Sequence, residues 1–221
     1  MNQVPAKILI VDDHPIVREG LAELINREKD LAVCGQADSG HRGFEAIEAL
    51  TPDVAIIDLS LEDINGLTLI KNLRNRGFTL PVLVLSMHEE SLYAERALRA
   101  GAQGYIMKRE APTRVITAIR KVLGGGVYLS DSLAARVMQR IVGVPDPSGT
   151  SPVSRLSDRE LEVYAFIGQG LKTREIAAKL NLSVKTIETY REHIKEKIGL
   201  RNATELVQSA IKWVHLESAR D

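Results

Sequence analysis

Three short apolar runs in this chain each end in side chains that can hold a phosphoryl group. If the runs are parallel strands of one sheet, their carboxyl ends meet at the edge where open α/β sheets bind ligands. Three carboxylates and one ammonium group would then converge on a pocket, a set that suits a hard divalent cation and a phosphoryl group better than a hydrophobic core. The runs and the residues that follow them are 7–11 with Asp12 and Asp13, 54–57 with Asp58, and 104–107 with Lys108.

The first half of the chain alternates between β and α patterns, which predicts a parallel sheet covered by helices on both faces. We predict an α/β fold built on a doubly wound, five-stranded parallel sheet. The predicted strands are 7–12, 31–37, 53–58, 81–86 and 103–107, and the predicted helices are 14–27, 40–50, 66–76, 90–100 and 111–123. Three consecutive glycines at 124–126 stop the last of these helices, and a short amphipathic helix is predicted from Ser130 to about Val142.

The last part of the chain is predicted to be all helix, with segments at about 158–168, 173–180, 184–198 and 203–215. Ser157 and Glu160 have the spacing of a capping box, and Thr173 and Ser183 are predicted to cap the next two helices. Residues 143–152 have the composition of a linker. The predicted domains are therefore 1–123 and 155–221, separated by a linker with a short helix at 124–154.

Composition limits the class of protein. The chain has 221 residues with 29 basic and 29 acidic side chains, so no global field marks it as a non-specific nucleic-acid binder. Residues 155–221 carry 12 basic and 10 acidic side chains, a balance that permits DNA contact. A single cysteine, Cys34, excludes an internal disulfide and a cysteine zinc site. Since the chain shows neither a membrane-span pattern nor a secretion signal, we expect a cytoplasmic protein with no membrane partner.

Aspartate is common in turns and helix caps, so each acidic residue alone has an ordinary structural explanation. As a set, however, Asp12, Asp13, Asp58, Ser86 and Lys108 occur in the order seen in two-component receiver domains, which residues 7–123 resemble. The resemblance implies a flavodoxin-like receiver fold that accepts a phosphoryl group.

The resemblance implies that Asp58 is the phosphoacceptor. It also implies that Asp13 and Asp58 ligate Mg²⁺ (or Mn²⁺) directly, that Asp12 acts largely through water, and that the Ser60 carbonyl completes the protein ligands. Glu62 stands where receivers usually carry proline, which bears on the rigidity of this loop and on none of the ligands.

The resemblance assigns two further residues to the phosphoryl group and one to the response. Lys108 would pair with the phosphoryl oxygens, and Ser86 would hydrogen-bond to one of them. Ser86 would move toward the phosphoryl group and leave space into which Tyr105 turns, so that the adjacent face changes shape. The alternative for Tyr105 is an ordinary, partly buried aromatic side chain.

The helical part resembles a LuxR-type helix-turn-helix in the segments 156–160, 175–180, 185–187 and 197–200. The whole chain therefore resembles a NarL/FixJ-type response regulator, in which the second helix of the motif lies in the major groove. Opposite the predicted buried stripe of helix 184–198 lie candidate base contacts, with basic residues beside them for phosphate. The candidate DNA-binding residues are Lys185, Thr186, Glu188, Thr189 and Glu192 on the helix face, and Lys172, Arg191 and Lys195 for phosphate. Alternatively, Glu188 and Glu192 merely pair with Arg191 and Lys195 on a solvated face.

These features predict a phosphorylation-controlled, DNA-binding transcription regulator of a two-component system. A cognate sensor histidine kinase would phosphorylate Asp58, and a homodimer formed through the last helix would bind promoter DNA. We expect no enzymatic activity beyond self-phosphorylation and self-dephosphorylation. Two alternatives remain open. One is a magnesium-dependent phosphatase, although Ser60 stands where its general acid would be needed, and the other is a helical domain that binds protein.

Overall fold

The computed structural model describes residues 4–87, 90–142 and 152–218. The chain divides into two compact units, residues 1–138 and 139–221. Of the predicted linker, residues 143–151 lie outside the described residues, and the predicted domain boundaries stay a prediction. None of the helices in the described parts of the chain combines the length and apolar character needed to span a bilayer.

The first unit contains a five-stranded parallel sheet with the strand order β2-β1-β3-β4-β5. The predicted α/β fold is confirmed, and each strand lies within one residue of its predicted bounds at either end. The order reverses between β1 and β3, which places a topological switch point at their carboxyl ends. The strands are β1 (Ala6–Val11), β2 (Leu31–Ala37), β3 (Val54–Asp58), β4 (Val82–Ser86) and β5 (Gly104–Met107).

Helices cover the two faces of this sheet. β3 and β4 are buried along their whole length. α1 and α5 pack a common apolar cluster against the sheet, whereas α2 contacts β1 and β2 and α4 contacts β5. Gly124 follows the last residue of α5, as the glycine run predicts. The helices of the first unit are α1 (Pro15–Asn26), α2 (Gly40–Leu50), α3 (Gly66–Asn75), α4 (Glu90–Ala100) and α5 (Ala111–Leu123), and α6 (Asp131–Ile141) then runs across the boundary between the two units.

The second unit is all helix in its described residues, as predicted. α10 packs on α7 so closely that a Cβ at Gly168 would lie 2.4 Å from the Ala210 carbonyl oxygen. The Tyr164 and Trp213 rings join the same two helices, with centroids 5.5 Å apart. The helices are α7 (Asp158–Gly168), α8 (Thr173–Lys179), α9 (Val184–Ile198) and α10 (Ala203–Ser218).

Two of the three predicted caps in this unit are confirmed, and one is wrong. Ser157 and Glu160 form the predicted capping box of α7, and the Ser183 hydroxyl accepts the Thr186 N–H at 3.0 Å to cap α9. Thr173, however, is the first residue of α8, and Lys172 precedes it at the cap position. Lysine has no side-chain acceptor, so the Glu175 carboxylate reaches back instead and accepts the Lys172 N–H at 2.6 Å.

Candidate functional site

The three strand ends meet as the sequence predicts. Lys108 Nζ lies 2.7 Å from Asp12 Oδ2 and 2.8 Å from Asp58 Oδ2. The Asp12 and Asp58 side chains are each 1% exposed and the Lys108 side chain is 7% exposed, so water screens these charges weakly. Ser86, which is fully buried, ends β4 beside the end of β3. Asp13 lies at the rim of the pocket with 15% of its side chain exposed.

The loop after β3 fixes the backbone around Asp58. α3 begins at Gly66, where a Cβ would lie 2.2 Å from the Asp58 carbonyl oxygen and 2.8 Å from Leu59 Cα, so only glycine permits this approach. The Gly66 N–H donates to the Leu59 carbonyl at 3.0 Å, and the Asn65 side chain caps α3. The Ser60 N–H donates to Asp58 Oδ1 at 3.2 Å. Asp58 is therefore held from both its backbone and its carboxylate.

The buried charges shift the pKa of the acid and of the base. Burial raises the pKa of the Asp58 carboxyl above its usual value, and the nearby Lys108 ammonium offsets this only in part. Burial alone would lower the pKa of Lys108, but the carboxylates of Asp58 and Asp12 outweigh it and raise that pKa. The pocket thus has more negative charge than its one ammonium group neutralises, and a further cation would favour the ionised form of Asp58.

The donor set fits a hard divalent cation. Ligand atoms of Asp12, Asp13, His14 and Asp58 all lie within 4.8 Å of one another. Asp12 Oδ2 and Asp13 Oδ1 are buried and accept no hydrogen bond of normal geometry from the described residues, although ammonium and imidazole nitrogens lie at ion-pair distance. Carboxylate oxygens oriented in this way are the ligands that Mg²⁺ and Mn²⁺ prefer.

His14 belongs to this group although it was not among the residues predicted from the sequence. His14 Nδ1 lies 2.6 Å from Asp13 Oδ1, and the His14 N–H donates to Asp12 Oδ1 at 2.9 Å. Its position directly after the two aspartates was the available signal. Tyr105, by contrast, is where it was predicted, on β5, with its side chain 1% exposed. Its role as a switch stays a prediction.

In the second unit, α9 presents most of the candidate DNA-binding residues to solvent. Ile187 and Ile194 are buried, and the opposite face carries exposed polar side chains, as the predicted stripe requires. The exposed candidates are Lys172, Lys185, Glu188, Thr189 and Glu192, whereas Thr186, Arg191 and Lys195 are partly buried. The charged face is therefore accessible to a ligand in the isolated unit.

Four of these candidates already have side-chain partners within α9 or at its N-terminal cap. Glu192 Oε2 lies 2.8 Å from Lys195 Nζ, so this half of the predicted acid–base pairing is present. The Thr189 hydroxyl donates to the Lys185 carbonyl at 3.0 Å, and the Thr186 hydroxyl lies 2.7 Å from Ser183 Oγ at the cap. If the Thr189 or Thr186 hydroxyl contacts a base directly, it must share or give up the hydrogen bond that it makes within the protein. Their contact with DNA stays a prediction.

Comparison with known proteins agrees with both units. Residues 8–120 match the family described as "Response regulator receiver domain", and residues 154–210 match "Bacterial regulatory proteins, luxR family". The nitrate/nitrite response regulator protein NarL of Escherichia coli K12 is 33% identical over 218 residues, which cover 98% of each chain. This chain belongs to the two-component response regulators. The oxygen regulatory protein NreC of Staphylococcus aureus is similar to the regulator at 34% identity, over 96% of this chain and 99% of NreC.

Solved structures of related regulators are similar to the regulator over most of its length. RcsB of Salmonella typhimurium matches with a TM-score of 0.72 and 27% identity, over 96% of this chain and 98% of RcsB. An RcsB–DNA complex matches with a TM-score of 0.69 and 26% identity, over 93% of this chain and 98% of the RcsB chain. The predicted function is confirmed at this level: the regulator is a phosphorylation-dependent transcription regulator of a two-component system. Proteins of this family are generally not enzymes.

Proposed function

We propose that Asp58 receives a phosphoryl group from a sensor histidine kinase and that this charge controls binding to promoter DNA. The observation that carries the proposal is the buried contact of Lys108 with Asp58 and Asp12 at the ends of three parallel strands. An Asp58 carboxylate oxygen forms the new bond to phosphorus while the bond from phosphorus to the donor atom breaks, and the donor keeps that electron pair. Lys108 neutralises charge on the transferring oxygens.

Asp12, Asp13, Asp58 and the Ser60 carbonyl are the groups that would hold Mg²⁺ or Mn²⁺. The ion would neutralise charge on the phosphoryl oxygens and on the crowded carboxylates. We assign no turnover of external substrates, because residue 60 is a serine and supplies no general acid. Self-dephosphorylation is the only further reaction of the pocket in this proposal.

The buried position of two side chains supports the proposed response. Ser86 is fully buried at the end of β4, and Tyr105 is buried one strand away on β5. A phosphoryl group on Asp58 adds about one to two negative charges and new acceptor oxygens. The Ser86 hydroxyl would donate to one of these oxygens, and the Tyr105 ring would fill the space that Ser86 leaves.

On the DNA side, the proposed base contacts are Lys185, Thr189, Glu192 and Glu188, with Thr186 beside them. The proposed phosphate contacts are Lys172, Arg191 and Lys195. The number of acidic residues on α9 makes it a weak non-specific binder, so two copies of the chain would be needed for affinity. α10 offers a surface for this contact, since Val207 is 36% exposed and Leu216 60% exposed. The proposed setting, with promoter DNA and a kinase as partners, is the cytoplasm.

The test is phosphorylation by acetyl phosphate in the presence of Mg²⁺, followed by mass spectrometry and a gel shift on genomic DNA fragments. Wild-type protein should gain the mass of one phosphoryl group and bind a subset of fragments more tightly. Asp58→Asn should abolish both effects, whereas Asp53→Asn, just before the same strand, should abolish neither. Equal DNA affinity with and without the phosphoryl group would contradict the proposed control, and binding to no fragment would favour a protein-binding output.

A further inference from the structure

In the segment 127–130, which follows the glycine run, Tyr128 pairs with the open edge of the sheet. β5 is the last strand on its side, and Tyr128 forms a parallel bridge with Gly104. The Tyr105 N–H donates to the Tyr128 carbonyl at 3.1 Å, and the Tyr128 N–H donates to the Gln103 carbonyl at 2.9 Å. The backbone of Tyr105, whose side chain is the proposed switch, is therefore bonded directly to the segment between α5 and α6.

Gly104 makes this close approach possible. A Cβ at Gly104 would lie 3.1 Å from the Tyr128 carbonyl oxygen, 3.2 Å from Tyr128 Cβ and 2.7 Å from a methyl group of Leu83. The Tyr128 ring also lies near a cation of α5, because Lys121 Nζ is 5.7 Å from the ring centroid. The segment is thus fixed by backbone and side-chain contacts to the first unit.

Glu90 in the first turn of α4 holds the other end of the segment. Its carboxylate accepts the Ser130 N–H at 3.2 Å and the Ser130 hydroxyl at 2.5 Å. The same hydroxyl accepts the Leu133 N–H at 3.2 Å, so Ser130 caps α6 while it donates to Glu90. Leu133 is buried. The start of α6, the helix that leads along the chain toward the second unit, therefore depends on a carboxylate of α4.

Both anchors of this segment adjoin the proposed switch residues. One anchor is the backbone of Tyr105 itself, and the other, Glu90, follows Ser86 by four positions along the chain. We infer that Glu90 and Ser130 form a latch that holds residues 127–130 on β5 in the unphosphorylated regulator and that phosphorylation weakens it. Glu90 is on this account a positioning residue for the signal. The inference rests on the proposed function of Asp58.

Small movements can weaken the latch, because the hydrogen bonds of Tyr128 and Ser130 tolerate only small changes in distance and angle. Movement of Ser86 toward the phosphoryl group would act at the end of β4, four positions before Glu90, and rotation of Tyr105 would act on the residue whose N–H donates to the Tyr128 carbonyl. Hydrogen bonds weaken steeply when their distance or angle departs from the optimum. Coupling between two equilibria is reciprocal. Loss of the latch by mutation should therefore favour the phosphorylated conformation, just as phosphorylation favours loss of the latch.

The first experiment measures amide hydrogen exchange in the full chain without a phosphoryl donor. Glu90→Ala should raise exchange across residues 127–134 by about tenfold, as expected for loss of hydrogen bonds to a charged acceptor. The matched control is Glu95→Ala on the same helix, which removes an exposed ion pair with Arg99 and should leave this segment unchanged. Ser130→Ala should act in the same direction, and the double variant with Glu90→Ala should add little. Unchanged exchange in both single variants would overturn the latch.

The second experiment tests the coupling with beryllofluoride, a phosphoryl mimic, and with acetyl phosphate. In the wild-type chain, the amides of residues 127–134 should exchange faster in proportion to the fraction of molecules that carry the phosphoryl group or its mimic at Asp58. Glu90→Ala should bind beryllofluoride severalfold more tightly than Glu95→Ala. A wild-type chain that is phosphorylated at Asp58 but keeps its protection at 127–134 would refute the coupling and leave the proposed function intact. If Asp58 takes up neither group, the proposed function fails and the coupling fails with it, whereas the first experiment still decides whether Glu90 holds the segment.

Discussion

Asp63 Oδ1 accepts a hydrogen bond from the Gly40 N–H at 2.8 Å, which ties the loop after β3 to the N-terminus of α2. The His41 N–H donates to Asp63 Oδ2 at 2.9 Å, and His41 Nδ1 lies 2.6 Å from the same oxygen. Glu62 stands beside it where receivers usually carry proline, and the Asp63 contacts fix this loop to α2. The Asp58 backbone lies at the other end of the same loop.

The Asp63 contact predicts a pH-dependent stability. Partial burial raises the pKa of Asp63, but the hydrogen bonds from Gly40 and His41 outweigh it and lower the pKa from 3.8 to about 2. Because the folded value is below the unfolded one, the stabilisation is complete above about pH 4 and is lost as the pH falls toward 2. Asp63→Asn should lower the free energy of unfolding at pH 7 by about 2 kcal/mol.

Urea unfolding between pH 3 and pH 7 measures this difference. The gap between Asp63→Asn and wild type should shrink as the pH falls. Asp38→Asn is the matched control, because Asp38 is an exposed partner of Arg42 just before the same helix and its loss should cost at most about 1 kcal/mol. A gap that stays constant with pH would show that the carboxylate charge is not what anchors the loop.

The buried charges predict opposite effects for two substitutions in the phosphoryl pocket. The raised pKa of Asp58 means that its ionised form costs stability at neutral pH, a cost that disappears as the pH falls. Asp58→Asn should therefore be as stable as wild type or more stable at pH 7. Lys108→Ala leaves Asp12 and Asp58 facing each other without the ammonium, and it should lower stability by about 3 kcal/mol.

Hydrogen exchange of the β3 and β4 amides in EDTA reports the stability of this unit directly. Addition of Mg²⁺ should recover part of the loss in Lys108→Ala, because a cation between the carboxylates replaces the missing charge. Asp58→Asn and Lys108→Ala can be compared directly because they remove the two partners of the same ion pair. Destabilisation of equal size in both variants would mean that the pair acts as an ordinary structural salt bridge.

The sequence predicts most of this pocket because each apolar run marks a strand, and parallel strands bring Asp12, Asp58 and Lys108 to one edge. It does not predict the bridge of Tyr128, since one extended residue shows no alternation from which a strand could be recognised. The wrong cap at Thr173 has a similar origin. Residue preference favours threonine over lysine at a cap, whereas the Glu175 carboxylate satisfies the Lys172 N–H from within the helix. Contacts of this kind depend on where individual groups lie in the folded chain, which the spacing of apolar and polar residues in the sequence does not specify.

Glu192 is predicted to read a base rather than only to repel DNA. A carboxylate can accept a hydrogen bond from cytosine N4 in the major groove, and the Glu192 side chain is 64% exposed on α9 although its carboxylate lies 2.8 Å from Lys195 Nζ. Glu192→Ala should reduce discrimination at one base pair by about 1–3 kcal/mol. Lys195→Ala should weaken binding to all sequences and reduce the salt dependence by about one charge.

A panel of operator variants in a quantitative binding assay separates these outcomes. Glu196→Ala is the control, because Glu196 is exposed on the same helix but lies outside the proposed contacts. If Glu192→Ala binds every operator variant more tightly by the same factor, the carboxylate only repels the DNA phosphates and does not recognise a base.

The final prediction concerns dimer formation through α10. Val207 is 36% exposed although its neighbour Leu206 is fully buried, so the helix has an apolar surface beyond what packing against α7 requires. Val207→Glu should leave the unfolding free energy of the second unit nearly unchanged but weaken binding to a two-half-site operator, because like charges would meet in the dimer. Leu206→Ala should instead lower stability by about 2–5 kcal/mol.

Trp213 fluorescence during urea unfolding reports stability, and gel shifts on one and two half-sites report assembly. Equal weakening by Val207→Glu on both DNAs would place Val207 outside the dimer contact.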